Sequence, residues 1–114
     1  MEIVRTSTSL THVHELAAAR FGDLVKVVVD VERGIMAIDA GMHADEEAAL
    51  VQDGSDQRDL WGVNLYPAEH GTEGWLEFDS MINLRPGQGN RTRSVDDPVT
   101  RSLIARIVDR LVMP

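Results

Sequence analysis

The chain contains no cysteine. That removes disulfides, thiolate metal sites and thiol nucleophiles in one step. No apolar run approaches the ~20 residues a helix needs to cross a bilayer, so no membrane partner is expected. The opening MEIVRTSTSL has no basic segment followed by an apolar one, so it does not read as a signal peptide, and a cytoplasmic protein is expected. Repeats, linkers and low-complexity stretches are also missing. Positive charge is scarce: eleven Lys and Arg against nineteen Asp and Glu give a net charge of −8. Such a chain repels nucleic acid on average and steers toward cationic partners, so nucleic acid is not expected either.

What is present suits a folded protein. The apolar fraction is 43% and the charged fraction 26%, ordinary for a globular chain. A length of 114 residues fits one domain, 1–114, able to bury roughly two-thirds of its unfolded surface.

Periodicity divides the chain into elements. EIVR near the start suits a short edge strand. Over residues 9–21, Leu10, Val13, Leu16, Ala17 and Phe21 recur at spacings of three and four, the signature of one apolar helix face. Ser9 or Thr11 can cap its start, and Gly22 stands where a left-handed residue ends a helix. DLVKVVVDVERGIMAID reads as a hairpin. Val25, Val27, Val29 and Val31 share one face, while Leu24, Lys26, Val28 and Asp30 form a mixed, partly wet one. ERG supplies the turn, with Gly34 free to take positive φ. Residues 45–53 carry acids suited to a first helical turn, which favours a short helix, but AALVQDG also fits a strand entering a turn.

LWGVNLYP and GWLEFDSMINLR read as a second hairpin. In its second arm Leu76, Phe78, Ser80, Ile82 and Leu84 share one face, and Trp75, Glu77, Asp79, Met81, Asn83 and Arg85 the other. Asp97 and Pro98 then give a cap and a first-turn proline. They open a helix whose stripe is Val99, Leu103, Ile104, Ile107, Val108, Leu111 and Val112. The expected fold is α+β: a mostly antiparallel sheet of two hairpins packed against N- and C-terminal helices on the valine-rich side, with a short middle helix.

FGDLVKVVVDVERGIMAI, HAD, DGS, DLWGVNLYP and INLRPGQGNR before a DP…R helix resemble a family of small bacterial single-domain proteins labelled a domain of unknown function. The resemblance spans residues 21–112. It implies a bacterial single-domain protein and nominates no activity and no catalytic residues.

Several constellations could carry function. No acid lies between residues 80 and 95, while Arg85, Arg91 and Arg93 do, a local reversal of the chain's charge. Gly87 and Gly89 let the backbone turn amide hydrogens into a concavity, and Asn83 and Asn90 add neutral donors, together a candidate anion site. The other reading is a turn whose arginines pair with Asp79, Asp96 or Asp97. RPGQGNR is neither a P-loop nor a dinucleotide fingerprint, and no cofactor is expected. Glu77 and Asp79 sit two apart on one strand, a candidate acid–base pair or a solvated sheet face.

His12 and His14 point about 200° apart on a helix and cannot share a metal. His43 and Asp45 are weak metal candidates if extended, and no metal site is assigned. Trp61, Tyr66 and Trp75, three of the five aromatics, are candidate interface residues or cross-strand packing. TSTS and Ser55 have no base partner, so nothing points to a hydrolase. The leading functional reading is a non-catalytic interaction module that self-associates as a homodimer. The alternative is a binding or regulatory protein holding an anionic small molecule or phosphate at the 85–93 loop, and an enzyme using Glu77 or Asp79 ranks last.

Overall fold

In the computed structural model, which describes residues 1–114, the centre is β3, Val25–Asp30. A run of β-branched residues with alternating faces favours extended backbone, and this strand pairs antiparallel on both sides. On one side lies β4, Ile35–Ile38, with Val28 opposite Ala37; on the other lies β5, Leu60–Leu65, with Val28 opposite Gly62. Two shorter strands flank these: β1, Glu2–Val4, beside β4, and β6, Leu76–Glu77, beside β5. The sheet order is β1-β4-β3-β5-β6, antiparallel throughout. A minor parallel pair joins β2, Thr8–Ser9, to β7, Val112–Met113. The fold is α+β.

The β3–β4 turn is made locally. Gly34 has φ of 66°, and Asp30 Oδ1 accepts from the amides of Glu32 and Arg33, both at 2.9 Å, the side-chain turn that Asp favours. Helix α1, Leu10–Arg20, starts where Ser9 Oγ accepts from the His12 amide at 3.0 Å. Helix α3, Pro98–Leu111, starts where Asp97 Oδ2 accepts from the Thr100 amide at 3.1 Å, with proline in the first turn. Both pack on the face carrying Val25, Val27 and Val29, where Val13 and Ala17 of α1 meet Ile104, Val108 and Leu111 of α3. Burying each large aliphatic side chain there stabilises by about 1.5–3 kcal/mol.

The opposite face is covered over part of its length. Helix α2, His43–Gln52, lays Leu50 over Val28, Ile35, Ala37 and Leu60, and Val28 and Asp30 are fully buried. The middle helix therefore covers the Val28 and Asp30 end of the mixed face, while Leu24 and Lys26 stay half-buried. The helix also begins ahead of the expected Asp45 cap, at Met42.

The second hairpin is the larger correction. Residues 75–85 are not one strand, because β6 ends after two residues and Met81–Asn83 is a 3-10 turn. Ser80 Oγ accepts from the Ile82 amide at 3.3 Å, which starts the turn. Asn83 then does what a neighbouring strand would have done. Its Oδ1 accepts from the Gly62 amide and its Nδ2 donates to the Gly62 carbonyl, both at 2.9 Å. A side-chain carboxamide thus pairs the edge of β5 where β6 is missing, satisfying backbone groups that would be costly to bury bare. Likewise Val112, expected in the α3 stripe, has left the helix for β7.

Candidate functional site

The candidate site lies on the α2 face, beyond the helix's N-terminal end. A cavity of about 250 Å³ opens there. Its floor is a cross-strand pair, Lys26 on β3 opposite Asn64 on β5. One wall is the first turn of α2 with Gly41 and Met42 before it; the other is the turn from Asp79 to Ile82, with Arg93 beside it.

Gly62 makes the arrangement possible. A Cβ there would stand 2.5 Å from both Cβ and Oγ of Ser80 and 3.2 Å from Cγ of His43. With no side chain at this point, the Ser80 turn and the His43 ring close over β5. His43 is 7% exposed, and its Nε2 lies 2.7 Å from the Val63 carbonyl. A carbonyl only accepts, so Nε2 carries the proton. Burial, opposed by that carbonyl, lowers the His43 pKa, with Lys26 lowering it further. The ring is therefore neutral at pH 7, and Nδ1 is an acceptor.

Charge in the cavity runs against the chain's average. Lys26 is the only lysine and makes no ion pair; its ammonium lies 5.4 Å from the Phe21 ring centroid. Arg93 Nε donates to Asp79 Oδ1 at 2.7 Å. Among the lining side chains alone, two cations against one carboxylate leave one net positive charge, which Glu77, 2.9 Å from Asn64 Nδ2, and Asp45, in the first turn of α2, offset from outside the lining. The first turn of α2 adds to it, because Met42 provides no capping side chain and the leading amides carry the positive end of the helix dipole. Asn64 is 5% exposed, and its Nδ2 donates to Glu77 Oε1 at 2.9 Å and to the Asp79 carbonyl at 3.2 Å. Its Oδ1 has no partner. Met42 and Met81, 59% and 63% exposed, stand at the mouth on opposite walls.

A second buried acid sits nearby. Glu46 on α2 is fully buried, with Oε2 accepting from the Ala40 amide at 3.1 Å and Oε1 unpartnered. Burial pushes its pKa up to about 9, so the carboxyl is protonated at neutral pH.

The arginines of the 85–93 loop do not converge. Arg85 turns inward: its Nε donates to the Ile82 carbonyl at 2.9 Å, its Nη1 to the Gln57 carbonyl at 3.2 Å, and its Nη2 to the Leu60 carbonyl. It also stacks 4.7 Å from the Trp61 ring centroid, with Glu47 at 3.7 Å. Arg93 belongs to the cavity. The Arg91 backbone amide donates to Asp96 at 2.9 Å while its residue stays exposed. Asn83 and Asn90 are buried clamps; Asn90 Nδ2 donates to the carbonyls of Asn83 and Ser94 at 2.8 and 2.7 Å. Gly89 takes the left-handed turn with φ of 87° after Gly87. The pairing of an arginine with Asp79 is realised at Arg93.

The other candidates also separate. Asp79 lines the cavity, whereas Glu77 faces a shallow groove with Tyr66, Glu69 and Glu73. Trp61 and Trp75 are 7% and 6% exposed and packed in the core, so neither presents its indole to a partner; Tyr66 hydrogen-bonds Glu77 at 3.2 Å. His12 faces Glu2 at 2.9 Å. No three His, Asp or Glu side chains are placed to hold a metal, and His43 and Asp45 lie two apart on the helical backbone of α2, not on the extended backbone that pair needs.

These features define a small α+β protein with a cleft at a helix N-terminus. The family described as "Protein of unknown function (DUF5674)" matches residues 2–111, and the chain belongs to it. Neither the curated proteins nor the solved structures contain a match.

Sequence reasoning missed the cavity as a unit. It placed Lys26 on a mixed, partly wet face, and Asn64 and Met42 carried no signal of their own. One signal was in view: a solitary lysine inside a run of valines, which belongs to neither a core nor an ordinary solvated strand.

Proposed function

We propose that this protein binds a small anionic ligand in the cleft between the first turn of α2 and residues 79–82. The reading takes up the alternative weighed from the sequence, an anionic-ligand function, and moves it from the 85–93 loop to a cavity that shares only Arg93 with it. One observation carries it: the chain's only lysine, half-buried in the middle of a sheet and without an ion pair, lines the same cavity as the uncapped first turn of a ten-residue helix. Helix N-termini favour anions through their unpaired amides and their dipole. The cavity is smaller than the about 300–1,000 Å³ typical of drug-sized ligand sites, which suits a metabolite.

Self-association drew its support from the tryptophans and from open sheet edges. With both indoles in the core, what supports it is the outer edge of β1, three residues long, and short edges are a common way to discourage pairing. Anion binding therefore ranks above it.

NMR titration of ¹⁵N-labelled protein with acetate and with inorganic phosphate tests the proposal. The amides of His43 and Ala44 are expected to move first, and Lys26→Met is expected to weaken binding by about tenfold, the worth of one charge-assisted hydrogen bond. No movement at those amides up to roughly 10 mM, a standard free energy of about −3 kcal/mol, would discard the proposal.

A further inference from the structure

We infer, resting on that anion-binding reading, that Glu46 makes the cleft proton-linked: an anion is held while the Glu46 carboxyl keeps its proton and is released as it ionises, because the two negative charges draw on one lysine.

The geometry places Lys26 between them. His43, Glu46 and Leu50 are the buried residues of α2 and recur at spacings of three and four, so they form the row turned to the sheet. His43 lines the cleft and Leu50 lies over Val28. Glu46 stands between, toward the Lys26 end of β3. The strand register agrees. On β5, Lys26 has Asn64 and the cleft floor opposite it. On its other side, Val27 opposite Ile38 carries the register on to Asp39, and the next residue, Ala40, gives Glu46 its hydrogen bond. Lys26 thus has the cleft on one flank and the Glu46 carboxyl on the other.

The state of that carboxyl follows from its surroundings. It is fully buried, with one amide donor at Oε2 and no partner at Oε1. A carboxyl so placed keeps its proton, here on Oε1. The charged groups that bear on it are Lys26 from β3, Arg20 from the end of α1 and Asp39 from the β4–α2 link. Arg20 is turned to Asp39, with Nε 3.5 Å from Oδ1, and the Met1 ammonium lies 3.6 Å from Oδ2. Lys26 is the cation of this group without an ion pair, so its charge is the one open to competition. An anion beside Lys26 opposes Glu46 ionisation, and ionised Glu46 weakens the anion by the same factor. Affinity is therefore full while Glu46 is protonated and falls as pH rises through its pKa.

NMR of the full chain tests this. The ¹³Cδ resonance of Glu46 is followed from about pH 6 to 11 without and with about 100 mM acetate, tenfold above the limit set for binding. Acetate keeps one charge throughout that range. The Glu46 midpoint is expected to rise by about one pH unit, a tenfold coupling. Lys26→Met should lose most of that rise, which separates the effect from salt screening. Acetate affinity should fall about threefold between pH 7 and 9.5 in the wild type and hold constant in Glu46→Gln. The wild-type midpoint decides the matter if that variant fails to fold. An unmoved midpoint while acetate shifts the His43 and Ala44 amides overturns this inference and leaves anion binding standing, and so does an equal rise in Lys26→Met. Amides unmoved by acetate and by inorganic phosphate overturn both.

Discussion

Gly62→Ala probes the contact around which the cavity wall is assembled. The added methyl would lie 2.5 Å from Cβ and Oγ of Ser80 and 3.2 Å from Cγ of His43, whereas carbon atoms rest at about 3.5–4.0 Å. Ser80 must therefore retreat by about 1 Å. It is not free to do so: its amide donates to the Arg93 carbonyl at 3.0 Å and its hydroxyl accepts from Ile82. Overpacking of this kind costs about 1–3 kcal/mol. Loss of glycine's unfolded-state freedom works the other way by about 0.4–1 kcal/mol, so a net destabilisation of about 1–2 kcal/mol is expected. At about 2.1 cal/mol/K per residue, unfolding 114 residues carries an entropy of about 0.24 kcal/mol/K, so Tm should fall by about 4–8 °C. Urea denaturation and a thermal melt measure both. Ser80→Gly removes two of the three close contacts, so a double-mutant cycle with Gly62→Ala should return a favourable coupling of about 1 kcal/mol or more. A Gly62→Ala protein within about 0.5 kcal/mol of wild type, or strict additivity in the cycle, would refute the packing argument.

Asn83→Asp keeps the shape of the β5 clamp and removes its donor, facing a carboxylate against the carbonyls of Gly62 and Arg93 at 2.9 and 3.0 Å; a loss of about 3–5 kcal/mol is expected in urea titrations, and a loss under about 1 kcal/mol would remove the clamp's importance. Glu46 has a folded-state pKa of about 9 against an ordinary value of 4.5, so the stability it contributes is fully present below about pH 4.5 and is lost as pH rises toward 9. Glu46→Gln should flatten that decline, gaining on wild type by about 1.4 kcal/mol per pH unit across the window, and parallel urea midpoints at pH 5, 7 and 9 for the two proteins would show that Glu46 does not titrate there.

The parts of the fold written in short stretches of sequence were legible. The Ser9 and Asp97 caps, the left-handed Gly34 turn and the valine alternation of β3 each need only neighbours within a few residues, and each formed as its local chemistry dictates. The stretch from residue 78 to 96 was not. Leu76, Phe78, Ser80, Ile82 and Leu84 alternate as a strand would, yet a strand needs a partner, and the edge of β5 is taken by a carboxamide from Asn83. That exchange depends on Gly62, about twenty positions earlier, and no local pattern announces it. The arginines misled for the same reason. Their sequence proximity suggested a cluster, but Arg85 neutralises carbonyls left by the 57–60 segment while Arg93 turns to Asp79, so side chains eight positions apart serve different sides of one turn.

The cavity's position follows from a mismatch of lengths. Helix α2 has ten residues, about 15 Å, and lies across a sheet face whose central strand alone runs about 20 Å. Its later turns cover the apolar end of that face, at Val28, Ala37 and Leu60. Its first turn stops short of Lys26 and Asn64, and the sequence is polar where coverage ends. If Lys26 served only to keep this uncovered end hydrated, any polar side chain would do, and a carboxylate on a neighbouring strand would be the natural companion. Instead the strand opposite presents a neutral carboxamide, which holds the Glu77 carboxylate of the next strand at 2.9 Å, and the helix presents its own positive end uncapped. The uncovered end of the sheet and the uncapped first turn of the helix thus meet at one point, and the cleft forms where they meet.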